Sequence, residues 1–129
     1  MKVFNEVTSI IGICGGFIVQ YLGGFDLLLQ SLVVLIIVDW ATGIMKAVDR
    51  RQLSADRGLR GIFKKMIMLF LLAMAVVMEN VLGGSLPVRE MVLMFLIGNE
   101  GISILENVVH FIEVPEKLKD ILLSIRGNE

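Results

Sequence analysis

Residues 27–48 read LLLQSLVVLIIVDWATGIMKAV and carry a single acid, Asp39, and a single base, Lys46. A helix needs about 20 residues, rising about 1.5 Å each, to cross the roughly 30 Å hydrocarbon core of a bilayer. This stretch is long enough, and 56% of the 129-residue chain is hydrophobic. Apolar runs of this length exclude an ordinary soluble domain and predict a membrane protein.

Four segments are predicted as transmembrane helices, at about residues 7–22, 27–48, 66–82 and 88–112. Residues that break helices separate them, such as Gly24 between the first two and Pro87 between the last two. The first span is short and rich in glycine. The prediction is an all-α membrane protein with about four transmembrane helices, folded as one domain over residues 1–129 and assembling as a homo-oligomer.

The basic residues predict the orientation of the chain, although the net charge is only -1. Most of the twelve Lys and Arg lie in or beside the loop after the second span: Lys46, Arg50, Arg51, Arg57, Arg60, Lys64 and Lys65. Loops rich in Lys and Arg stay in the cytoplasm. An even number of spans then places both termini there as well, with Arg89 alone outside.

Two short amphipathic helices are predicted on the cytoplasmic side. Ser54 is placed to cap the first, in which Arg57, Arg60 and Lys64 would meet lipid phosphates; a solvated basic loop that only fixes topology is the alternative. The second covers residues 115–126, where apolar residues recur at helical spacing. It is predicted to lie on the inner surface or under the bundle.

Acidic side chains within the predicted spans are the main functional signal. They are Asp39, Glu79, Glu100 and Glu106. A carboxylate in hydrocarbon costs at least a few kcal/mol, so such residues usually face a bundle interior or water. No base is expected at the same depth, because Lys46 lies about 10 Å along the helix axis from Asp39. The acids are therefore expected to be protonated, hydrogen-bonded or hydrated.

Polar residues form a stripe on two of the spans. Asp39, Thr42, Gly43 and Lys46 share a face of the second span. In the fourth span the shared face carries Asn99, Ser103, Glu106, Asn107 and His110, with Glu100 at its margin and Leu96 on the opposite side. Such stripes either join helices by hydrogen bonds or line water. Both roles stay open. The stripes could join helices in a resting state and line water in an active state.

Glycines mark positions where helices can approach closely. Gly12 and Gly16 lie on one ridge of the first span with Thr8, at the four-residue spacing of small residues that favours helix association. Gly43 offers a similar position in the second span. Whether the partner helix belongs to the same chain stays open.

Enzyme chemistry has no support in the sequence. Cys14 is the single cysteine and His110 the single histidine, so neither a disulfide framework nor a metal site is predicted. Motifs for an activated serine or a phosphate-binding loop are absent from the sequence. The prediction is a protein without catalytic activity, cofactor or nucleic-acid partner.

Several motifs resemble the bacteriophage holins of the toxin-secretion/phage-lysis type. They are Asp39-x-x-Thr42-Gly43-Ile44-x-Lys46-Ala47, Leu53-Ser54, Gly58-x-x-Gly61-Ile62-x-Lys64-Lys65, Asn99-Glu100-x-x-Ser103-Ile104-x-Glu106-Asn107 and Val114-Pro115-Glu116-Lys117-Leu118. The likeness extends over about residues 27–125, and the Asn-Glu and Glu-Asn pairs are its most specific part.

The resemblance implies a small protein of the bacterial cytoplasmic membrane that self-associates and at a set time opens large lesions. A murein hydrolase or a secreted toxin would then leave the cytoplasm, and an antiholin would be a further partner. The family has no catalytic residues to transfer to this sequence. Its recurring polar positions correspond to Asp39, Asn99, Glu100, Ser103, Glu106 and Asn107.

Two rival functions are considered. A small multidrug-type transporter also has four short helices, but that class needs an acid inside its first span, which is lacking here. An antiholin or membrane scaffold without a pore of its own would share every span with a holin. The sequence does not distinguish this second rival.

Overall fold

The computed structural model describes residues 1–127, and in that range it contains helices and no strands. The helices are α1 (Lys2–Tyr21), α2 (Leu27–Asp49), α3 (Ala55–Val81), α4 (Val88–Val108) and α5 (Glu116–Arg126). The first four are long and apolar enough to cross a membrane. The predicted all-α fold with four candidate spans is therefore confirmed.

The helix ends follow from local sequence. The Asp26 carboxylate accepts the Leu29 N–H at 3.0 Å and begins α2, and the Ser54 hydroxyl accepts the Arg57 N–H at 3.3 Å and begins α3. Gly23 ends the turn after α1 with φ +87°, a left-handed conformation that favours glycine. Asp26 and Ser54 therefore determine where two of the four long helices begin.

The structure differs from the sequence prediction at the start of α3. The short cytoplasmic helix expected after Ser54 is not separate, since α3 runs without a break for 27 residues from Ala55 to Val81. Gly58 and Gly61 weaken a helix without ending it. At about 1.5 Å per residue α3 is about 40 Å long, roughly 10 Å more than the hydrocarbon core.

The core lies between α2, α3 and α4, with α4 packed against both of the others. Buried residues recur every three or four positions, the spacing of one helix face. They include Leu29 and Leu32 in α2, Met68, Leu72 and Ala75 in α3, and Leu93 and Leu96 in α4. Helix α5 adds the buried Leu122.

Helix α1 contributes no buried residue. A Cβ atom added at Gly12 or Gly16 would meet no neighbouring atom within 4 Å. The small-residue ridge predicted for helix association therefore has no partner within residues 1–127 of one chain.

The two ends of the bundle differ in composition. The end that we call the basic end contains the end of α2, the start of α3 and the end of α4, where lysines and arginines are concentrated. The opposite end, which we call the glycine end, contains the turns between α1 and α2 and between α3 and α4, each with two glycines of positive φ.

Candidate functional site

A lysine joins two of the predicted intramembrane acids. The ammonium of Lys65 donates to Asp39 Oδ2 at 2.6 Å and to Glu100 Oε2. Glu100 is fully buried, and the Lys65 and Asp39 side chains are only 16% and 11% exposed. The expectation that no base lies at the depth of these acids is therefore wrong.

The helical phase explains why Lys65 reaches the core. Lys65 precedes the buried Met68 by three residues, so it lies on the core face of α3. Asp39 follows the buried Leu32 by seven residues in α2, and it therefore faces the same core. The long apolar stem of lysine packs among these side chains while its ammonium reaches the carboxylates.

Glu100 lies at the centre of the buried face of α4 instead of at the margin of a polar stripe. It follows Leu93 by seven residues and Leu96 by four, and all three are buried. The sequence prediction had the wrong phase, because it placed Leu96 on the opposite side. Charged and apolar residues share one face here, since Lys65 provides the partner that makes burial of the carboxylate possible.

The cluster of Asp39, Lys65 and Glu100 contains two acids and one base. The second oxygen of Glu100, Oε1, is buried without a hydrogen-bond partner within residues 1–127. A buried oxygen without a partner costs about 1–3 kcal/mol, or more if it is charged. The cluster therefore depends on its single ammonium, and it is sensitive to any change that moves α3 away from α2 and α4.

Asn107 extends the cluster towards the basic end. Its side-chain amide donates to Asp39 Oδ1 at 3.2 Å, to the Asp39 carbonyl at 3.2 Å and to Thr42 Oγ1 at 3.0 Å. The Thr42 hydroxyl in turn donates to the Val38 carbonyl at 2.9 Å. A Cβ atom at Gly43 would lie 3.6 Å from the same amide, so α2 and α4 approach closely here.

The other predicted acids have separate partners. Glu79 Oε2 accepts the backbone N–H of Arg89 at 2.8 Å, where a negative charge favours the start of α4. Glu106 pairs with Arg126 at 3.1 Å and thereby joins α4 to α5. Asn99 and Ser103 are half-buried, and Ser103 borders a cleft at the basic end.

His110 joins the ends of α2 and α4 at the basic end. Its Nε2 lies 2.6 Å from Asp49 Oδ2, and Arg50 donates to Nδ1 at 3.3 Å from Nε. Because arginine can only donate, Nδ1 must accept and the ring proton is on Nε2. The imidazole is therefore neutral in this arrangement, and Nε2–H donates to Asp49.

Arg89 forms a clamp at the glycine end that the sequence prediction missed. The guanidinium is buried and donates to the Leu22 carbonyl at 2.7 Å, to the Gly24 carbonyl at 2.9 Å and to both oxygens of Asp26. A Cβ atom on Gly23 would overlap the Arg89 side chain. The sequence feature that could have indicated this contact is a single arginine in the first turn of a predicted span.

The clamp also changes the acidity of Asp26, which lies between α1 and α2. The hydrogen bonds from Arg89, with that from the Leu29 N–H, lower the pKa of Asp26 from 3.8 to about 2. The clamp therefore contains an ionised carboxylate at every pH near neutrality.

No group of three potential metal ligands occurs within residues 1–127. The arrangement is chemically a set of hydrogen bonds and ion pairs between helices, with Lys65 joining all three helices of the core. The groups are positioned to hold α2, α3 and α4 together.

Known proteins provide the family context. The sequence profile of the bacteriophage holin family matches residues 16–127. An uncharacterised protein of Listeria innocua is 40% identical over 121 residues, which cover 92% of this chain and 86% of that protein. An uncharacterised 14.9 kDa protein of the nagH 3′ region of Clostridium perfringens is 38% identical over 109 residues, 83% of each chain. A probable holin of Bacillus phage phi105 is 28% identical over 109 residues, 84% of this chain and 81% of that protein. No solved structure shows significant similarity.

Proposed function

This chain belongs to the bacteriophage holin family, and we propose that it is a holin whose copies gather in the cytoplasmic membrane and open lesions. The family consists of membrane proteins and is not an enzyme family, and the four apolar helices agree with a multi-pass protein of the cytoplasmic membrane. Lesions of this kind would release a murein hydrolase or a toxin from the cytoplasm.

The proposed orientation places the basic end in the cytoplasm. The lysines and arginines near that end belong to α2, α3, the turn between them and α5, and loops rich in these residues are retained inside. Both termini then lie in the cytoplasm, and the Arg89 clamp lies at the outer surface. The positively charged end would thus face the anionic inner leaflet.

The cluster of Asp39, Lys65 and Glu100 carries the mechanistic part of the proposal. Its polar groups bind one another inside one chain, so these contacts join α2, α3 and α4 of a single copy. A lesion wide enough for a folded protein to pass through needs a wall made from many copies. The three packed helices of one chain cannot enclose an opening of that width. We infer that the closed cluster is the resting state, and that helices of neighbouring copies exchange these contacts when lesions form.

The uncovered helix α1 supplies a surface for the first association. Small residues at four-residue spacing allow two helix backbones to approach closely in lipid. Among residues 1–127, no neighbouring atom lies within 4 Å of a Cβ added at Gly12 or Gly16. Copies of α1 are proposed to pair through this ridge as the protein accumulates.

Expression beside a cytoplasmic murein hydrolase tests the function. We expect abrupt lysis, preceded by the appearance of active hydrolase outside the cytoplasmic membrane. An inactive hydrolase expressed with the chain is the control, and it should give loss of viability without lysis of the wall. Cells that stay intact while the chain accumulates in the membrane would contradict the proposal and favour an antiholin or scaffold.

Disulfide cross-linking tests the α1 contact. Cys14 lies on the side opposite Gly12 and Gly16, because each helical residue advances by about 100°. A variant with Cys14→Ser and Thr8→Cys carries its thiol on the glycine ridge and should form dimers readily under mild oxidation. The native chain, with its thiol on the other side, is the matched control, and equal cross-linking of both would contradict this interface.

A further inference from the structure

A cleft of about 340 Å³ lies at the basic end, between the last turns of α2 and the first turns of α3. Its wall contains five basic side chains, those of Lys46, Arg50, Arg57, Lys64 and Lys65. We infer that this cleft is a binding site for a phosphate-bearing anion, and that its occupant in the membrane is the head group of an anionic phospholipid. Binding of such a head group would not require lesion formation.

The charges of the cleft are not balanced by the protein. Asp39 is the one acid in its wall, and it already binds Lys65. Arg50 donates to the neutral ring of His110. Three further bases of the wall, those of Lys46, Arg57 and Lys64, have no carboxylate within ion-pair distance in residues 1–127. Bringing these positive charges together is unfavourable unless an anion lies between them.

Arg57 is held in place for such an anion. One nitrogen of its guanidinium donates to Gln52 Oε1 at 2.7 Å, and its backbone N–H donates to the Ser54 hydroxyl. The remaining N–H groups of the planar fork are free to bind two phosphate oxygens. Gln52 and Ser54 border the same cleft, so the donor is oriented before the ligand arrives.

The depth of the cleft fits a lipid head group. Helix α3 is about 40 Å long and the hydrocarbon core about 30 Å thick, so its first turns extend into the phosphate layer. Large apolar side chains near these turns are exposed, among them Leu53 at 64%, Leu59 at 50% and Phe63 at 52%. They can contact acyl chains while the bases hold the head group.

The lining predicts which lipids bind. Phosphatidylcholine and phosphatidylethanolamine carry an amine beside the phosphate, and the cleft offers this amine no free acid, because Asp39 is engaged by Lys65. Phosphatidylglycerol carries the phosphate without the amine. The site should therefore select anionic over zwitterionic lipids, and each base near the anion should contribute roughly fivefold to binding.

Binding can be measured on the detergent-solubilised full chain by native mass spectrometry with short-chain phosphatidylglycerol, phosphatidylcholine and inorganic phosphate as probes. We expect saturable binding of phosphatidylglycerol, at least about fivefold tighter than that of phosphatidylcholine. The double variant Arg57→Gln with Lys64→Gln should weaken it by about tenfold or more. The variant Arg57→Lys with Lys64→Arg retains the charges and should stay within about threefold of the native chain.

The matched control removes the same charge from the same region. Arg51 and Arg60 do not border the cleft, so the double variant Arg51→Gln with Arg60→Gln should bind within about twofold of the native chain. If inorganic phosphate binds the native chain as tightly as the lipid does, the cleft is an anion site. Its occupant would then be a soluble phosphate, and the assignment to a lipid head group would be overturned. Equal losses in both double-glutamine variants, or no preference for phosphatidylglycerol over phosphatidylcholine, would overturn the inference.

Discussion

Replacing Lys65 with methionine is expected to destabilise the helix bundle more than any other single change in the cluster. The variant Lys65→Met keeps the length of the side chain but leaves Asp39 and Glu100 without a cation. Removing one partner of a buried ion pair typically costs about 3–5 kcal/mol, because the remaining charge stays buried. The upper half of this range applies here, since Glu100 is fully buried and two carboxylates lose the same partner.

Neutralising an acid should have a much smaller effect. Glu100→Gln leaves one acid for one base, and Lys65 then pairs with Asp39 alone at its present 2.6 Å. We expect a change in stability of less than about 1.5 kcal/mol, of either sign, since the excess carboxylate is removed. The triple variant Lys65→Met, Asp39→Asn and Glu100→Gln carries no charge in the cluster and should recover most of the loss.

The stability can be followed in mixed micelles by titration with a denaturing detergent. Trp40 is the single tryptophan and borders the cleft beside the cluster, so its fluorescence reports separation of α2 from α3. The control is Lys64→Met, at an exposed neighbouring position without an ion pair in the described chain. If Lys65→Met stayed within about 1 kcal/mol of the native chain, or were milder than Glu100→Gln, the cluster would not hold the bundle together.

Three other changes probe further contacts between helices. Arg89→Met should lower stability by about 2–4 kcal/mol and speed hydrogen exchange in the turn before α2, because two backbone carbonyls and the carboxylate of Asp26 lose the hydrogen bonds from Arg89. A turn with unchanged exchange would show that the clamp is dispensable. The stability contributed by Asp26 should be present above pH 3.8 and lost as the pH falls towards 2, since its pKa is lowered on folding; Asp26→Asn should remove this pH dependence, and a variant that kept it would contradict the assignment. Asn107→Ala should cost about 1–3 kcal/mol, because Asp39 Oδ1 and the Thr42 hydroxyl lose the donor that Asn107 provides, while Asp39 Oδ2 keeps its bond from Lys65. The half-buried Asn99→Ala should cost less, and the reverse order in detergent unfolding would contradict the role given to Asn107.

The spans were predictable because hydrophobic length is a direct consequence of bilayer thickness. Residues 27–48 were predicted as the second span, and α2 occupies Leu27–Asp49. The start of α3 is predicted less well, since the third span is predicted to begin at about residue 66, after Lys64 and Lys65, whereas α3 begins at Ala55. Charge marks a boundary only on the lipid-facing side of a helix, and Lys65 lies on the side that faces the core.

In the sequence, only helical phase could indicate which side chain pairs with Asp39 and Glu100. Lys65, Met68, Leu72 and Ala75 are spaced as one core face, and this spacing was sufficient to place Lys65 inside. The pairing of α3 with both α2 and α4 was needed to identify Asp39 and Glu100 as its partners. Such pairing depends on tertiary packing, which no local pattern in this sequence specifies.

The contact between Arg89 and Asp26 could not be derived from sequence periodicity. The two residues are 63 positions apart, and one of them lies in a turn whose path depends on left-handed glycines. The sequence indicated that Arg89 is the exceptional base on its side of the membrane. The turn geometry determined what it binds.

The most direct test of the proposed function is release of a folded protein from sealed vesicles that contain the purified chain at increasing density. A small dye and a fluorescent protein are enclosed together, and their escape is followed at each protein-to-lipid ratio. We expect both to escape together above a threshold density, because many copies are needed to build one lesion. Vesicles that retain the fluorescent protein at every density would contradict the proposal that this chain opens lesions wide enough for a murein hydrolase or toxin.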